Sequence, residues 1–398
     1  MSQAKIPERH LTTLAVAREL LLHQMHALQR PDARPHDVAP IMLWGPPGVG
    51  KSELVRKLCE EHGWDFIDVR LAQRDPVDLR GLPVPEDGVV RWLPSSDWPR
   101  ADRPRGILLF DELTAADRTL QVAAYELILD RRLGDTYRLP PGWLVCGAGN
   151  RSEDASVALP MSAALANRFL HLEVQADVVP WTQWAHANSI RPEVVAFLRA
   201  RPALLLDLEQ SNVQRGWPSP RSWTRVSHLL EAARSEERPL SSEALHAGLV
   251  GLVGVGPALE FEAFLRRSAD LPDLLDLVSG TLTLTTLPRS ADALHALVTG
   301  LARVVWVAAD RTKALGIALH LAAELPPDFA ALFFADVTAV APRGALQSIT
   351  SHPALERLRA AHGHLFVQPK TDEAPAKGPT WQSGRRKRAG DPSEARSS

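Results

Sequence analysis

One short segment constrains this chain more than any other: an apolar run, then a glycine-rich loop, then a helical pattern. The loop reads GPPGVGKS over residues 45–52 and matches GxxxxGK[ST] in full. The run IMLW before it predicts a buried strand, and residues 51–62 after it predict a helix. Because strand and helix flank the motif, a chance match in an ordinary turn is disfavoured. The segment therefore predicts a phosphate-binding loop.

Elementary chemistry explains the spacing of this motif. Glycines let the backbone turn so that successive N–H groups point inward, and the following helix adds the positive end of its dipole. Lys51 is predicted to neutralise the phosphates, and Ser52 is predicted to bind Mg²⁺. The predicted nucleotide contacts are Gly45, Pro46, Pro47, Gly48, Val49, Gly50, Lys51, Ser52 and Glu53.

A second apolar run ends in two carboxylates. The sequence ILLF over residues 107–110 is followed by Asp111 and Glu112. Asp111 is predicted to hold Mg²⁺, and Glu112 to orient and activate the attacking water. A solvated strand end is the alternative interpretation. The phosphate loop upstream favours the catalytic one.

The remaining patterns predict the fold class. Further strands are predicted at residues 64–69, 106–110, 143–148 and 171–174, with a helix at 116–129 between two of them. Strands that alternate with helices indicate an α/β fold with a doubly wound parallel sheet. An amphipathic helix is predicted at 7–30, and helical periodicity dominates from 191 to about 362.

These patterns divide the chain into five predicted segments. They are an N-terminal helix and linker (1–38), an α/β nucleotide-binding domain (39–176), a helical lid (177–268), a helical C-terminal region (269–365) and a disordered tail (366–398). The tail is rich in Pro, Gly, Ser and charge, and it contains a basic cluster at 385–388. A solvated tail is the favoured interpretation of that cluster, and contact with nucleic acid is the alternative.

Composition limits the functional classes. The formal net charge of −2 gives no general attraction to nucleic acid or anionic membranes, so a nucleic-acid partner is not expected. The two cysteines, Cys59 and Cys146, lie in apolar runs and predict buried side chains in a reducing compartment. No apolar signal core or membrane span is recognisable, so a cytoplasmic location is expected.

At this point the sequence resembles the AAA+ ATPases of the MoxR branch, related to the magnesium chelatases, over about residues 8–230. The segment GAGN ending at Asn150 resembles the family's sensor asparagine, beside the attacking water. The segment ANRF resembles the arginine-finger segment, which makes Arg168 a candidate catalytic group for a neighbouring subunit. The segment WPSPRSW resembles the second sensor, with Arg221 facing the γ-phosphate from a helix that starts at Ser219 or Pro220.

An insertion typical of this branch also has a counterpart. Residues 75–81 and 85–94 resemble it, and the dipeptide Asp87-Gly88 predicts a hairpin turn. The resemblance implies that the hairpin projects toward a ring pore with Val90, Arg91 and Trp92 exposed. Packing of Trp92 on the core is the equally weighted alternative.

The resemblance implies a P-loop AAA+ core followed by an α-helical lid and a helical C-terminal region. It further implies ATP and Mg²⁺ as cofactors, a homo-oligomer that is a hexameric ring, and a separate von Willebrand factor A domain protein as partner. The leading hypothesis is an ATPase that remodels or activates a protein complex. The alternatives are a nucleic-acid-linked motor or defence-system subunit, and a nucleotide-binding switch without hydrolysis.

Overall fold

The core of the protein is a six-stranded sheet in which every neighbouring pair of strands is parallel. The computed structural model describes residues 11–151, 161–208, 215–233 and 239–363. The sheet strands are β1 (Leu11–Thr12), β2 (Ile41–Trp44), β3 (Asp65–Arg70), β6 (Arg105–Asp111), β9 (Gly142–Gly149) and β10 (Leu170–Val174). Their order across the sheet is β1-β10-β2-β9-β6-β3.

This arrangement confirms the predicted α/β fold. The five apolar runs predicted as strands form β2, β3, β6, β9 and β10, each within one residue of its expected bounds. Their side chains are mostly buried because helices cover both faces, as parallel sheets require. Strand β2 lies between β10 and β9, so the loop that follows it emerges near the middle of the sheet.

In the described part of the sheet domain, five helices accompany the sheet. They are α1 (Leu14–Leu28), α2 (Lys51–His62), α3 (Pro76–Arg80), α4 (Arg118–Asp130) and α5 (Ala163–Ala166). Helices α1 and α2 bury one face of the sheet, and α4 buries the other. Both cysteines are buried, as predicted.

The first predicted helix is partly wrong. The Thr13 hydroxyl accepts a hydrogen bond from the backbone N–H of Val16, so it caps the helix, which starts at Leu14. Residues 11–12 instead add an edge strand beside β10. A strand of two residues is too short to produce a recognisable pattern. Residues 7–10 lie outside the described part of the chain, as do the predicted tail and its basic cluster.

Two hairpins extend from the sheet domain. The strands β4 (Leu82–Glu86) and β5 (Val89–Leu93) pair antiparallel, which confirms the predicted hairpin with its turn at Asp87 and Gly88. The second hairpin, β7 (Arg132–Leu133) with β8 (Tyr137–Arg138), follows α4. Trp92 is 41% exposed, so its predicted alternative of core packing is wrong. A buried tryptophan, Trp98, follows the hairpin in sequence, and its indole N–H donates to the carbonyl of Leu79.

The described residues beyond the sheet domain are mainly helical, as predicted. Their helices are α6 (Val178–Ala187), α7 (Pro192–Ala200), α8 (Pro220–Ala233), α9 (Ser242–Val253), α10 (Val255–Ser268), α11 (Leu274–Ser279), α12 (Ala291–Val307), α13 (Arg311–Glu324), α14 (Pro327–Ala339), α15 (Leu346–Thr350) and α16 (Ala354–His362). Helices α6 to α10 share one apolar core, and α11 to α16 share another. Within the described ranges, no helix is long and apolar enough to cross a membrane.

Ion pairs to the buried carboxylates of Asp292 and Asp336 join these helical cores. Arg199 on α7 makes a bidentate pair with Asp336 on α14, whose carboxylate is 1% exposed. Arg201 pairs with Asp292 at the start of α12 at 3.0 Å. Because removing one partner would leave a buried charge unpaired, these pairs fix how the two helical cores sit against each other.

Candidate functional site

The loop between β2 and α2 has the backbone of a phosphate cradle. Gly48 and Gly50 adopt positive φ angles of +81° and +108°, which residues with a Cβ rarely adopt. A Cβ on Gly48 would also lie 3.0 Å from Ser219 Oγ. The loop then enters α2, whose first turn directs backbone N–H groups toward the loop. The predicted contacts from Gly45 to Glu53 therefore lie on the loop and the first turn of α2.

The ammonium group of Lys51 is held inside this turn. Its Nζ lies 2.7 Å from the carbonyl oxygen of Gly45, 3.1 Å from that of Pro46 and 3.1 Å from Asn150 Oδ1. The side chain is buried, with 7% of its surface exposed. These neutral oxygens stand where phosphate oxygens would be the stronger acceptors for a cation. The arrangement therefore fits a phosphate-bearing ligand.

The two predicted metal ligands meet directly. The hydroxyl of Ser52 donates a hydrogen bond to Asp111 Oδ2 at 2.5 Å, although 59 residues separate the two in sequence. Ser52 lies in the first turn of α2, and Asp111 ends β6. Hydroxyl and carboxylate oxygens are hard donors of the kind that Mg²⁺ prefers. The pair can supply a small part of an octahedral shell, with phosphate and water oxygens as the remaining ligands.

The backbone conformation of Glu112 differs from the extended conformation of the strand before it. Its φ is +56°, in the left-handed region, and its N–H donates to Asp111 Oδ1 at 2.9 Å. The chain turns sharply here and rejoins β9 through the N–H of Leu113, which donates to the carbonyl of Ala148. A non-glycine residue with positive φ is uncommon, and such strain is concentrated at functional sites. The turn leaves Glu112 exposed directly after Asp111, outside the sheet.

Asn150, directly after β9, contacts both the phosphate loop and the turn that follows the acidic pair. Asn150 accepts from Lys51 through its side chain, and its backbone carbonyl accepts from Thr114 Oγ1 at 3.3 Å. Thr114 is buried and follows the acidic pair. The two contacts hold the Asn150 amide between the phosphate loop and the turn after Glu112. Sequence analysis did not identify Thr114, and no motif in the sequence could have indicated it.

A further carboxylate, Asp68, lies on β3, the strand that pairs with β6, which ends in Asp111. Burial raises its pKa above the ordinary range, and the negative charge of Asp111 raises it further, while Arg70 lowers it. The nearest Arg70 nitrogen lies 3.5 Å from Asp68 Oδ2, and Asp68 Oδ1 is buried without a hydrogen bond. Sequence analysis missed Asp68. Its only signal was a charged residue in the middle of a predicted strand.

The helical region that follows the sheet domain contacts the phosphate loop at the start of α8. The N–H of Arg221 donates to the carbonyl of Gly48 at 3.2 Å. Ser219 and Ser222 cap this helix reciprocally through their hydroxyls and backbone N–H groups. Helix α8 begins at Pro220, as predicted. The Arg221 side chain is exposed at the surface beside the loop.

Arg168 lies away from the phosphate loop, near the amino ends of the strands. It precedes β10, and the first residue of β10, Leu170, pairs with the first residue of β2, Ile41. The phosphate loop begins after the last residue of β2, so about four residues of strand, roughly 13 Å, separate the two levels. Arg168 instead borders a surface pocket whose walls include residues 35–40 and Arg131. The structure therefore does not bring Arg168 to the other predicted site residues of the same chain.

Comparison with known proteins agrees with this geometry. Residues 40–169 match the family model of the AAA domain (dynein-related subfamily). Midasin of Giardia intestinalis is 30% identical over 156 residues, which are 37% of this chain and 3% of that protein. The chain thus spans only a small part of that relative's length.

Solved structures are more distant. NtrX of Brucella abortus is 14% identical, with a TM-score of 0.37 over 83% of this chain and 69% of that one. A variant of Thermotoga maritima RuvB is 16% identical, with a TM-score of 0.36 over 79% of this chain and 91% of that one. Scores this low carry no functional argument, so the assignment rests on the matched segment and its geometry. Residues 40–169 therefore match the AAA domain of the dynein-related subfamily, in agreement with the sheet and the phosphate loop that this segment forms.

Proposed function

We propose that this chain is a MoxR-type ATPase that binds ATP with Mg²⁺, hydrolyses it in a homo-oligomeric ring, and uses the cycle to remodel or activate a protein partner. The observation that carries the proposal is the separation of two halves of one site. Binding and water-activating groups surround the phosphate loop at the carboxyl ends of the strands, whereas the candidate arginine lies near the amino end of β10. A second copy of the chain, placed with the amino ends of its strands against the first copy's phosphate loop, would bring the halves together.

The described residues divide the chemistry among them. Lys51 and the loop N–H groups would bind the β- and γ-phosphates, and Ser52 with Asp111 would hold Mg²⁺, which neutralises phosphate charge. Glu112 would accept a proton from the attacking water, and the Asn150 amide would orient that water. Arg168 of the neighbouring copy would stabilise the charge that develops on the transferred phosphoryl group.

We propose that the lid, residues 177–268, senses the same nucleotide. The backbone of Arg221 bonds to the carbonyl of Gly48, so a shift of the phosphate loop must displace the start of α8 or break this bond. The ion pairs from α7 to α12 and α14 would carry the shift into the C-terminal helices. This path supports a role in which hydrolysis moves residues 177–363 relative to the sheet.

The hairpin β4–β5 is the surface best suited to a protein client. Both of its faces are exposed, and its apolar side chains stand in solvent at Leu82, Val89, Val90, Trp92 and Leu93. An isolated two-stranded hairpin is marginally stable, so contact with another chain would stabilise it. We place it toward the pore of the ring, and we assign the client's recruitment to a separate von Willebrand factor A domain protein.

Assembly and client capture test the proposal separately. Sedimentation of the Glu112→Gln variant with ATP and Mg²⁺ should give a ring, most simply a hexamer, that dissociates when nucleotide is removed. A chain that stays monomeric under these conditions would overturn the ring. Cross-linking of this ATP-locked ring to its partners in a lysate should place cross-links on residues 82–93. Cross-links that avoid this hairpin would remove its assignment as the client surface.

A further inference from the structure

A histidine outside the predicted site links the strand before the phosphate loop to the helix before Arg168. His171 is the second residue of β10, three residues after Arg168. Its Nδ1 lies 2.8 Å from the indole Nε1 of Trp44, and its Nε2 lies 2.7 Å from the carbonyl oxygen of Ala166. The imidazole therefore joins the end of β2 to the end of α5.

The chemistry of its partners fixes the state of this ring. An indole N–H can only donate and a carbonyl can only accept. His171 must therefore accept at Nδ1 and donate from Nε2, which makes it a neutral ring with the proton on Nε2. The ring also stacks on Trp44, with centroids 6.0 Å apart and planes 15° apart, and meets Phe169 edge-on at 6.1 Å. Four contacts thus define its position and orientation.

Both anchors are next to functional elements. Trp44 directly precedes Gly45, the first residue of the phosphate loop, whose carbonyl accepts from Lys51. Ala166 ends α5, and its carbonyl also accepts from the N–H of Phe169, so it closes the turn that carries Arg168. A displacement of Trp44 must therefore move the His171 ring or break its bond.

We propose that His171 is a positioning residue for Arg168, coupling the phosphate loop of one subunit to the arginine that this subunit presents to its neighbour. The inference rests on the proposed action of Arg168 in a neighbouring site. It adds a specific route by which a subunit's own nucleotide state sets the geometry of the arginine it supplies. An arginine displaced by about 1 Å loses much of its effect, because transition-state stabilisation depends steeply on position.

Mixed assemblies can separate this role from general structural support. One protomer carries Arg168→Ala and keeps a hydrolytic site. The other carries Glu112→Gln and keeps its arginine. Hydrolysis that appears only on mixing reports the arginine supplied by the second protomer. Absence of hydrolysis in this parent mixture would overturn the proposed trans action of Arg168 itself.

His171→Phe is then introduced into one protomer at a time. Phenylalanine keeps the ring contacts with Trp44 and Phe169 but removes both hydrogen bonds. In the arginine-supplying protomer it should lower the mixed rate by about tenfold. In the Arg168→Ala protomer it should leave the mixed rate within about twofold, because that chain supplies no arginine. Trp44→Phe, which removes the indole donor and part of the ring but leaves His171 in place, should reproduce the same asymmetry.

Two controls keep the result interpretable. His320→Phe, an exposed histidine on α13, should leave the rate unchanged from either protomer. ATP affinity of the arginine-supplying protomer should be unchanged by His171→Phe, which excludes collapse of its phosphate loop. Equal losses from both protomers, or no loss from either, in a parent mixture that hydrolyses ATP would overturn the positioning role while leaving the trans arginine intact.

Discussion

Lys51 Nζ lies 3.1 Å from Asn150 Oδ1, across 99 residues of sequence. The contact joins the phosphate loop after β2 to the end of the adjacent strand β9. A cation and a neutral amide are thereby held together at one edge of the sheet, beside the Ser52–Asp111 pair. Phosphate binding and positioning of water can then depend on the same few atoms.

The first prediction concerns the buried ammonium. Lys51→Ala should reduce ATP affinity at least about a hundredfold, because it removes the only side-chain cation of the phosphate loop and its contacts with three oxygens. Isothermal titration calorimetry with Mg²⁺ present measures this. Lys313→Ala on α13 is the matched lysine control and should bind like the wild type. Near-normal affinity of Lys51→Ala would contradict the assigned role.

Glu112 should affect turnover rather than binding. Glu112→Gln preserves the shape of the side chain and removes its basicity, so hydrolysis should fall by about 10²-fold or more. Affinity for ATP should remain within a few fold of the wild type. Single-turnover phosphate release and calorimetry on the same preparation measure the two quantities. A variant that hydrolyses at the wild-type rate would exclude Glu112 as the base.

Arg168 is expected to act only between subunits. Arg168→Ala should keep ATP affinity and lose about 10³-fold in turnover, as removal of an arginine finger does in other nucleotide hydrolases. Steady-state kinetics and calorimetry at a fixed subunit concentration measure the split. Arg311→Ala, an exposed arginine on α13, serves as the control. A parallel loss of affinity and turnover would instead indicate damage to the fold.

Two tryptophans, one in the β4–β5 hairpin and one just after it, should respond differently to truncation. Trp98 is 3% exposed and donates to the carbonyl of Leu79, so Trp98→Ala should cost about 3–5 kcal/mol of unfolding free energy. Trp92 is 41% exposed, so Trp92→Ala should cost under about 1 kcal/mol. Chemical denaturation of the nucleotide-free protein measures both. A large destabilisation by Trp92→Ala would mean that the hairpin packs on its own domain.

Asp68 should weaken the nucleotide-free fold near neutral pH. Burial and the charge of Asp111 raise its folded pKa above the unfolded value, so its contribution favours folding at low pH and is lost as pH rises through the folded pKa. Asp68→Asn should therefore stabilise the protein at pH 7, and the gain should vanish as pH falls below the ordinary pKa of an unfolded aspartate, about 4. Thermal unfolding in a chelator at the two pH values measures this.

The matched control for that measurement is Asp135→Asn. Asp135 has a fully exposed side chain, so its substitution should change stability at neither pH. A pH-independent effect of Asp68→Asn would show that the change acts through packing rather than charge.

Much of the sheet domain could be predicted because its signals are local. Three contiguous elements define the phosphate loop: the strand that ends at Trp44, the loop glycines and the helix that begins at Lys51. The loop could therefore be predicted without knowing any contact between distant segments. The hairpin turn at Asp87-Gly88 was similarly visible. Each of these elements follows from residue types whose backbone preferences act within a few positions.

What the sequence could not reveal depends on contacts between distant segments. The edge strand at residues 11–12 exists only because β10 offers it hydrogen-bond partners. Trp44 and His171 are 127 residues apart, and neither stands out by composition or period. Asp68 becomes unusual only through its burial beside Asp111. Such features arise from packing and charge proximity in the folded chain.

A site that a second copy of the chain completes should hydrolyse ATP only when subunits associate. Phosphate release per subunit can be measured with ATP and Mg²⁺ over a wide range of protein concentration. The specific rate should rise with concentration to a plateau and should be lost in Glu112→Gln. A specific rate that is independent of concentration for a chain that remains monomeric, or no phosphate release at any concentration, would contradict this expectation.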